Sequence, residues 1–244
     1  LAGPVGAEFD VSTFNGQTLP FNALGGDDDA RLEAYVTQQL NPDPVQANDT
    51  EYHQRRTGLN GYPNPGFVTL DKTLTQLWQD HQTGGVQRSR PVEETRLNTY
   101  LRMVYSKWQL REVLADFWLN HFNVYGFEMY TQETFVHYDR DVIRPNIFGN
   151  FRDMLEAVTR STSMLYYLDN YTNTRNGPNE NWARELFELM TLGSGNYYGV
   201  GSQDNVPLWA PTMLWPAGTP SAGDEIPAGY VDNDVYETAR AFTG

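Results

Sequence analysis

Trp108-Gln-Leu-Arg-Glu-Val-Leu-Ala-Asp-Phe-Trp-Leu-Asn-His-Phe-Asn-Val-Tyr125 is the run whose periodicity decides the fold class. Placed at about 100° per residue, Glu112, Asp116, Asn120 and Asn123 gather in one narrow polar arc. Nearly everything else on this helix is apolar: Leu110, Val113, Leu114, Phe117, Trp118, Leu119, Phe122 and Val124. His121 does not join the polar arc but projects between Leu114 and Phe117. It reads either as a core histidine bonded to a backbone carbonyl or carboxylate, or as an acid/base or metal ligand in a dry pocket. Burial favours the neutral ring, which either role can use.

Helical spacing extends in both directions from this run. Leu97, Tyr100, Leu101, Val104 and Tyr105 form one apolar stripe at i, i+3, i+4, i+7 and i+8. Ser106 and Gln109 have capping-box spacing. Phe135, Tyr138 and Val142 mark another helix, which Pro145 ends or kinks. Asn150 caps a helix carrying Phe151, Met154, Leu155 and Val158, and Ser163 to Leu168 and Asn179 to Leu192 are two more. Upstream, Asp29 is the expected N-cap of a helix ending before Asn41-Pro42, and Leu70 to Gln82 is a helix stopped by Gly84-Gly85. Residues 1–30 and 57–68 are irregular connectors, with turn signals at Gly3-Pro4, Asn15-Gly16 and Gly25-Gly26 in the first and Gly61 to Pro65 in the second. Residues 193–229 lose the period, which points to an insertion, a small β excursion or a binding loop. Asp232 or Asp234 then caps a last helix. The expected fold is mainly α: a multi-helix orthogonal bundle with long irregular loops, cut short at its C-terminus. Residues 1–91 form an N-terminal helical and irregular segment packed on a helical core domain, 92–244, which carries the insertion 194–229.

Composition removes whole classes of function. The 244 residues carry 31 acidic and 17 basic side chains, a formal net charge of −14. Phosphate backbones and anionic membrane surfaces are repelled on average, so neutral ligands, cations and other proteins are the expected partners. With no cysteine, disulfides, zinc–thiolate sites and thiol nucleophiles are excluded. No apolar run approaches the roughly 20 residues of a membrane helix. The chain opens on Leu1 rather than Met, and a removed leader is the expectation.

A second concentration of polar residues lies in 176–193. Glu180, Asn181, Arg184, Glu185 and Glu188 share one arc of the predicted helix, opposite Trp182, Ala183, Leu186, Phe187, Leu189 and Met190. Glu180–Arg184 and Arg184–Glu188 are i,i+4 pairs that fit a solvated face. The same carboxylates could also line a cleft for a cation or for acid/base work. The preceding loop, Asp169 to Glu180, has the length of a calcium-binding EF-hand loop but places Tyr171 and Thr174 where that loop needs an oxygen ligand and a glycine. His53, His81 and His137 lie in separate segments without ligand spacing and read as surface residues.

Five ordered segments together resemble a bacterial family catalogued as domain of unknown function 1800. They are Leu110 to Val124 (with Trp118-Leu-Asn-His-Phe122), Gly149-Asn-Phe-Arg-Asp-Met-Leu-Glu-Ala-Val158, Met164-Leu-Tyr-Tyr-Leu-Asp-Asn170, Pro178-Asn-Glu-Asn-Trp-Ala-Arg-Glu-Leu-Phe-Glu-Leu-Met-Thr-Leu-Gly193 and Tyr236-Glu-Thr-Ala-Arg-Ala-Phe-Thr-Gly244. The resemblance implies a helical, exported protein, a sulfatase-like partner of the domain of unknown function 1501 family, and no established reaction or cofactor. Many members carry a second histidine where this chain has Leu119, so a two-histidine metal site of that kind is not built here.

Two functions follow as expectations. One is a non-catalytic structural or assembly component of the cell surface or extracellular space, docking a partner through the insertion. The other is an extracytoplasmic hydrolase or metal-dependent enzyme using His121 with Glu180 and Glu185, a divalent cation being its candidate cofactor.

Overall fold

The computed structural model describes residues 26–40, 49–58, 66–209 and 225–243. The turn signals at Gly3-Pro4, Asn15-Gly16 and Gly61 to Pro65, and the break at Asn41-Pro42, lie outside the described residues, as do 210–224 of the insertion. The helices are α1 (Asp28–Leu40), α2 (Thr50–Gly58), α3 (Leu74–Thr83), α4 (Arg90–Tyr105), α5 (Gln109–His121), α6 (Thr131–His137), α7 (Phe151–Thr159), α8 (Thr162–Tyr167), α9 (Asn181–Glu185) and α10 (Asp232–Ala241). α6 runs on into a π-helical turn, Tyr138–Ile143, and a 3-10 turn, Arg144–Asn146; α9 runs on into a π-helical turn, Leu186–Thr191. One two-stranded antiparallel ladder pairs β1 (Leu208–Trp209) with β2 (Ile226–Pro227). The mainly α expectation holds, and the insertion contains the small β excursion.

Contacts group the chain into two compact units, residues 1–67 with 96–116 and residues 68–95 with 117–244. This grouping follows contact, whereas the expected division at residue 91 follows chain position. α4 and α5 contribute to both units.

In the first unit, buried polar groups bind segments distant in sequence. Asp49 accepts from the Ser106 hydroxyl at 2.6 Å and the Lys107 N–H at 3.1 Å. Gln39 donates to the Lys107 carbonyl and accepts from the Leu110 N–H. The buried Tyr52 hydroxyl donates to Asn98 at 2.8 Å, with the Arg102 guanidinium 4.4 Å above its ring. Ser106 is therefore held by Asp49, and its hydroxyl accepts from the Trp108 N–H instead of completing a capping box. At the start of α1 the cap is Asp27, whose carboxylate accepts from the Ala30 N–H; Asp29 lies one residue inside the helix.

The second unit holds most of the apolar core. Trp182, Tyr138, Phe122, Ile143, Met154, Met164 and Val158 are fully buried. Local signals place the helix ends. Thr73 closes a capping box with Gln76, so α3 starts at Leu74, and Gly84 takes the left-handed C-cap at φ 67. Asn150 caps α7 through the Asp153 N–H as expected, and Ser161 caps α8. The Asp234 carboxylate takes the Val231 N–H ahead of α10. Glu94, 2% exposed, is satisfied by the Val68 and Thr69 N–H groups, the Thr69 hydroxyl and Arg90. Asp139 of the π-helical turn meets Arg144, the first residue of the 3-10 turn, in a buried pair at 3.0 Å.

Parts of two expected apolar faces are turned outward. Tyr100 and Val104 of the α4 stripe are exposed, and the helix instead buries Val92, Glu94, Thr95 and Asn98. On α5, Val113 and Phe117 are exposed while Glu112 of the polar arc is buried. The helix stops at His121, three residues short of Val124.

Residues 196–199 run beside 230–232: Tyr198 N–H donates to the Tyr230 carbonyl, Tyr230 N–H to Asn196, and Asp232 N–H to Gly199. Gly229 sits at the closest approach, where a Cβ would overlap the Asn196 carbonyl oxygen and the Tyr198 ring. Gly229→Ala should therefore lower stability by about 1–3 kcal/mol, the range for overpacking. A thermal melt showing no loss would contradict this packing.

Candidate functional site

α9 and its π-helical continuation form the scaffold on which the candidate residues sit. α9 has five residues and begins without a side-chain cap of its own. Its start is held by asparagines of the preceding loop. Buried Asn173 donates to the Ala239 carbonyl of α10 at 2.8 Å and accepts from the Asn179 N–H at 2.8 Å. Asn179 accepts from the Asn181 N–H and donates to the Asp169 carbonyl and the Thr172 hydroxyl; Asn181 donates to the Leu168 carbonyl. These contacts satisfy backbone groups that an isolated helix start would leave to water. The asparagine-rich loop rejected as a calcium loop is thus a side-chain-bonded helix entry.

At the other end stands His121. Its Nε2 lies 3.3 Å from the Met190 carbonyl oxygen. The last carbonyls of a helical segment lack partners within it, and a ring N–H is a natural donor to them. The contact requires the proton on Nε2. Around the ring lie Phe122 at 4.6 Å, Trp118 at 5.6 Å, and Phe117 and Phe151 at 6.2 Å. Of the partners expected for a core histidine, a backbone carbonyl or a carboxylate, it is a backbone carbonyl that meets the ring, from Met190.

Glu180 is engaged at the opposite end. It pairs with Arg184 at 3.1 Å, and Arg184 reaches Asp232 at 3.3 Å, where Glu188 was the expected second partner. Tyr197 donates its hydroxyl to the same Asp232 oxygen at 2.7 Å. That hydroxyl, against a desolvation cost and with Arg184 adding to it, holds the Asp232 carboxyl below the usual range. Glu180 and Met190 are ten residues apart, about 15 Å along a helix. Glu180 and His121 therefore sit at opposite ends of the segment.

Glu185 lies between them. Burial pushes its carboxyl up, Glu188 adds to the shift and Arg184 opposes it. Buried Tyr230, stacked on Phe187 at 5.1 Å, is also pushed up, by burial and then by Glu188. Phe187 and Tyr230 line an open groove of about 500 Å3 with Leu192, Gln203, Asp234 and Glu237. Among the described residues no group of three or more His, Asp or Glu side chains is placed to hold a metal ion.

A family model described as "Protein of unknown function (DUF1800)" matches residues 21–244. The chain belongs to that family. No curated protein and no solved structure matches it. In this DUF1800 protein the segments 110–124 and 178–193 meet through the His121–Met190 contact. Segments 178–193 and 236–244 meet through Asn173, which bridges the start of α9 to Ala239.

Sequence reasoning missed Tyr197, Tyr230 and the bonding role of Asn173. The recurrence of asparagine at 170, 173, 176, 179 and 181 was the available signal for the last. His81 was read as a surface residue but is largely buried against Glu133. His137 is half-buried and bonded to Asp141 at 2.9 Å.

His121→Ala should lower stability by about 1–3 kcal/mol by orphaning the Met190 carbonyl. His121→Gln, which keeps an N–H donor, should recover part of this in urea melts. An unchanged midpoint for both would remove the capping role.

Glu185 supplies a pH test. A raised carboxyl stabilises the fold below its ordinary value, and that contribution is lost as pH rises through the raised one. Glu185→Gln should therefore melt higher than the parent at pH 7, with the advantage disappearing on acidification below the ordinary carboxylate range. A lower midpoint at pH 7 would show that the charge is favourably held.

Proposed function

We propose that this protein is a non-catalytic, extracytoplasmic structural or assembly component whose insertion engages another protein. One observation carries the reading: two of the candidate catalytic side chains, His121 and Glu180, are occupied as fasteners of the fold. His121 caps a backbone carbonyl, and Glu180 and Arg184 join Asp232 and Tyr197 in a clamp. The clamp fixes residues 196–199, near the start of the insertion, against the start of α10, which follows the insertion's end.

What the clamp presents is apolar. Val200 is 91% exposed and Leu208 59%, with Tyr197 and Tyr198 also exposed. These side chains give the excursion apolar surface of the kind that meets a protein partner. The net charge of −14 fits a protein partner better than a nucleic acid. The partner the family resemblance implies is a sulfatase-like protein of the domain of unknown function 1501 family, and the export it implies supplies the compartment.

The test is co-purification of the full-length protein with that partner from the extracytoplasmic fraction of its source, with and without Arg184→Ala. The parent should bring the partner down in stoichiometric amount. The variant, folded by circular dichroism, should lose at least tenfold in recovery and show faster amide exchange at Tyr198 and Tyr230. A cytoplasmic location, or unchanged recovery by a variant with a loosened clamp, would overturn the proposal.

A further inference from the structure

We propose that the open groove between the insertion's end and α10 is a docking site for a lysine or arginine side chain of a protein partner. This deepens the assembly reading and rests on it for the occupant being a protein. The walls come from three stretches of one unit. Phe187 and Leu192 stand on the segment after α9, Pro227 and Tyr230 where the insertion ends, and Asp234 and Glu237 on α10. Tyr230 is stacked on Phe187 at 5.1 Å, so aromatic and aliphatic surface lies beside carboxylates.

Two observations of different kinds point to the occupant. The first is charge without counter-charge. Arg184 is drawn to Glu180 and Asp232, and Arg240 to Glu237. Among the described residues no lysine or arginine pairs with Glu185, Glu188 or Asp234. Asp234 is offset in part by the start of α10, where it takes the Val231 N–H. Glu185 and Glu188 have no such offset, and both act on the groove wall. After burial, Glu188 and more weakly Glu185 push the Tyr230 hydroxyl up, with Arg184 opposing them. The second observation is that hydroxyl itself. Tyr230 is 2% exposed and lines the groove, yet among the described residues its hydroxyl has no hydrogen-bond partner. A buried tyrosine hydroxyl ordinarily finds one. Tyr197, 5.5 Å away, turns its own hydroxyl to Asp232 instead.

The chemistry of these groups selects the ligand. Ionised carboxylates only accept hydrogen bonds, and a tyrosine hydroxyl can accept one as well. An ammonium or guanidinium only donates, and it carries the missing charge. Lysine and arginine join that head to an aliphatic stem, which lies along apolar surface while the head reaches polar groups. A small molecule is held by burial on most sides, whereas an open groove takes one side chain from a chain lying across it. A net charge of −14 attracts any basic peptide to some degree, so the test needs a control of equal charge.

The test is calorimetric titration of the full-length protein with five-residue peptides, blocked at both ends, whose central residue between leucines is arginine, lysine or neutral citrulline. At least one basic peptide should bind with a Kd of about 1 mM or tighter, and the citrulline peptide about tenfold more weakly or worse. Ala241→Lys puts a tethered cation at an exposed lining position at the end of α10 and, with an unchanged melt, should weaken binding by about tenfold or more. Glu188→Gln should weaken it by about threefold or more. Glu93→Gln, an exposed position on α4 that shifts the net charge by the same amount as either, should leave it within about twofold. No binding of either basic peptide, equal binding of the citrulline peptide, or equal losses from Ala241→Lys and Glu93→Gln would each overturn the proposal. So would n-butylammonium binding as tightly as the peptides, which would give the groove to a small cation. The peptides report on the groove and co-purification on the assembly reading, so either can fail without the other.

Discussion

A helical segment leaves its first N–H groups and last carbonyls without internal partners, and in residues 181–191 that constraint governs the surrounding structure. Five α-helical residues and a π-helical turn have too few internal bonds to stand alone. Everything around the segment answers this deficit. Asparagines of the loop before it supply its start, and Asn173 ties that start to α10. His121, arriving at the end of α5, supplies its finish. The apolar side of the segment then buries Trp182, Ala183 and Met190, and its polar side fixes Asp232 through Arg184.

This arrangement explains how far the sequence could be read. Helix existence was legible because the 3.6-residue period is local, and the caps at Asn150 and the stop at Gly84 were legible for the same reason. Which face turns inward was less so. Glu112 is buried while Val113 and Phe117 are exposed, because burial is set by neighbouring segments and not by the helix's own apolar count. The π-helical turns at 138–143 and 186–191 were invisible, since one extra residue per turn leaves the apolar pattern nearly intact.

The candidate site was legible as residues but not as geometry. His121 was placed on the apolar side of its helix beside Phe117, where its ring stands, while its meeting with the 178–193 segment was not legible. A backbone carbonyl was among the expected partners of His121, but no spacing rule could supply which one. The contacts that link distant positions left no pattern at all: Arg184 with Asp232, His81 with Glu133. A histidine 52 residues from its carboxylate looks the same in sequence whether it is exposed or buried.

The two polar centres of the larger unit differ in a way that bears on what each can do. In the clamp every principal group has a bonded partner, and the pairs are half-exposed, so each contributes a modest, screened stabilisation and the set acts by fixing geometry. At His81 and Glu133 burial is nearly complete, and the two meet at 2.5 Å while the second Glu133 oxygen has no hydrogen-bond partner, which costs stability. A fold retains such a cost only if surrounding contacts over-determine it, and the packed rings of Trp78, Tyr130 and Tyr166 do that here. The satisfied centre belongs to the scaffold. The buried one is enclosed by packed aromatic rings, so whatever it contributes is screened least by solvent.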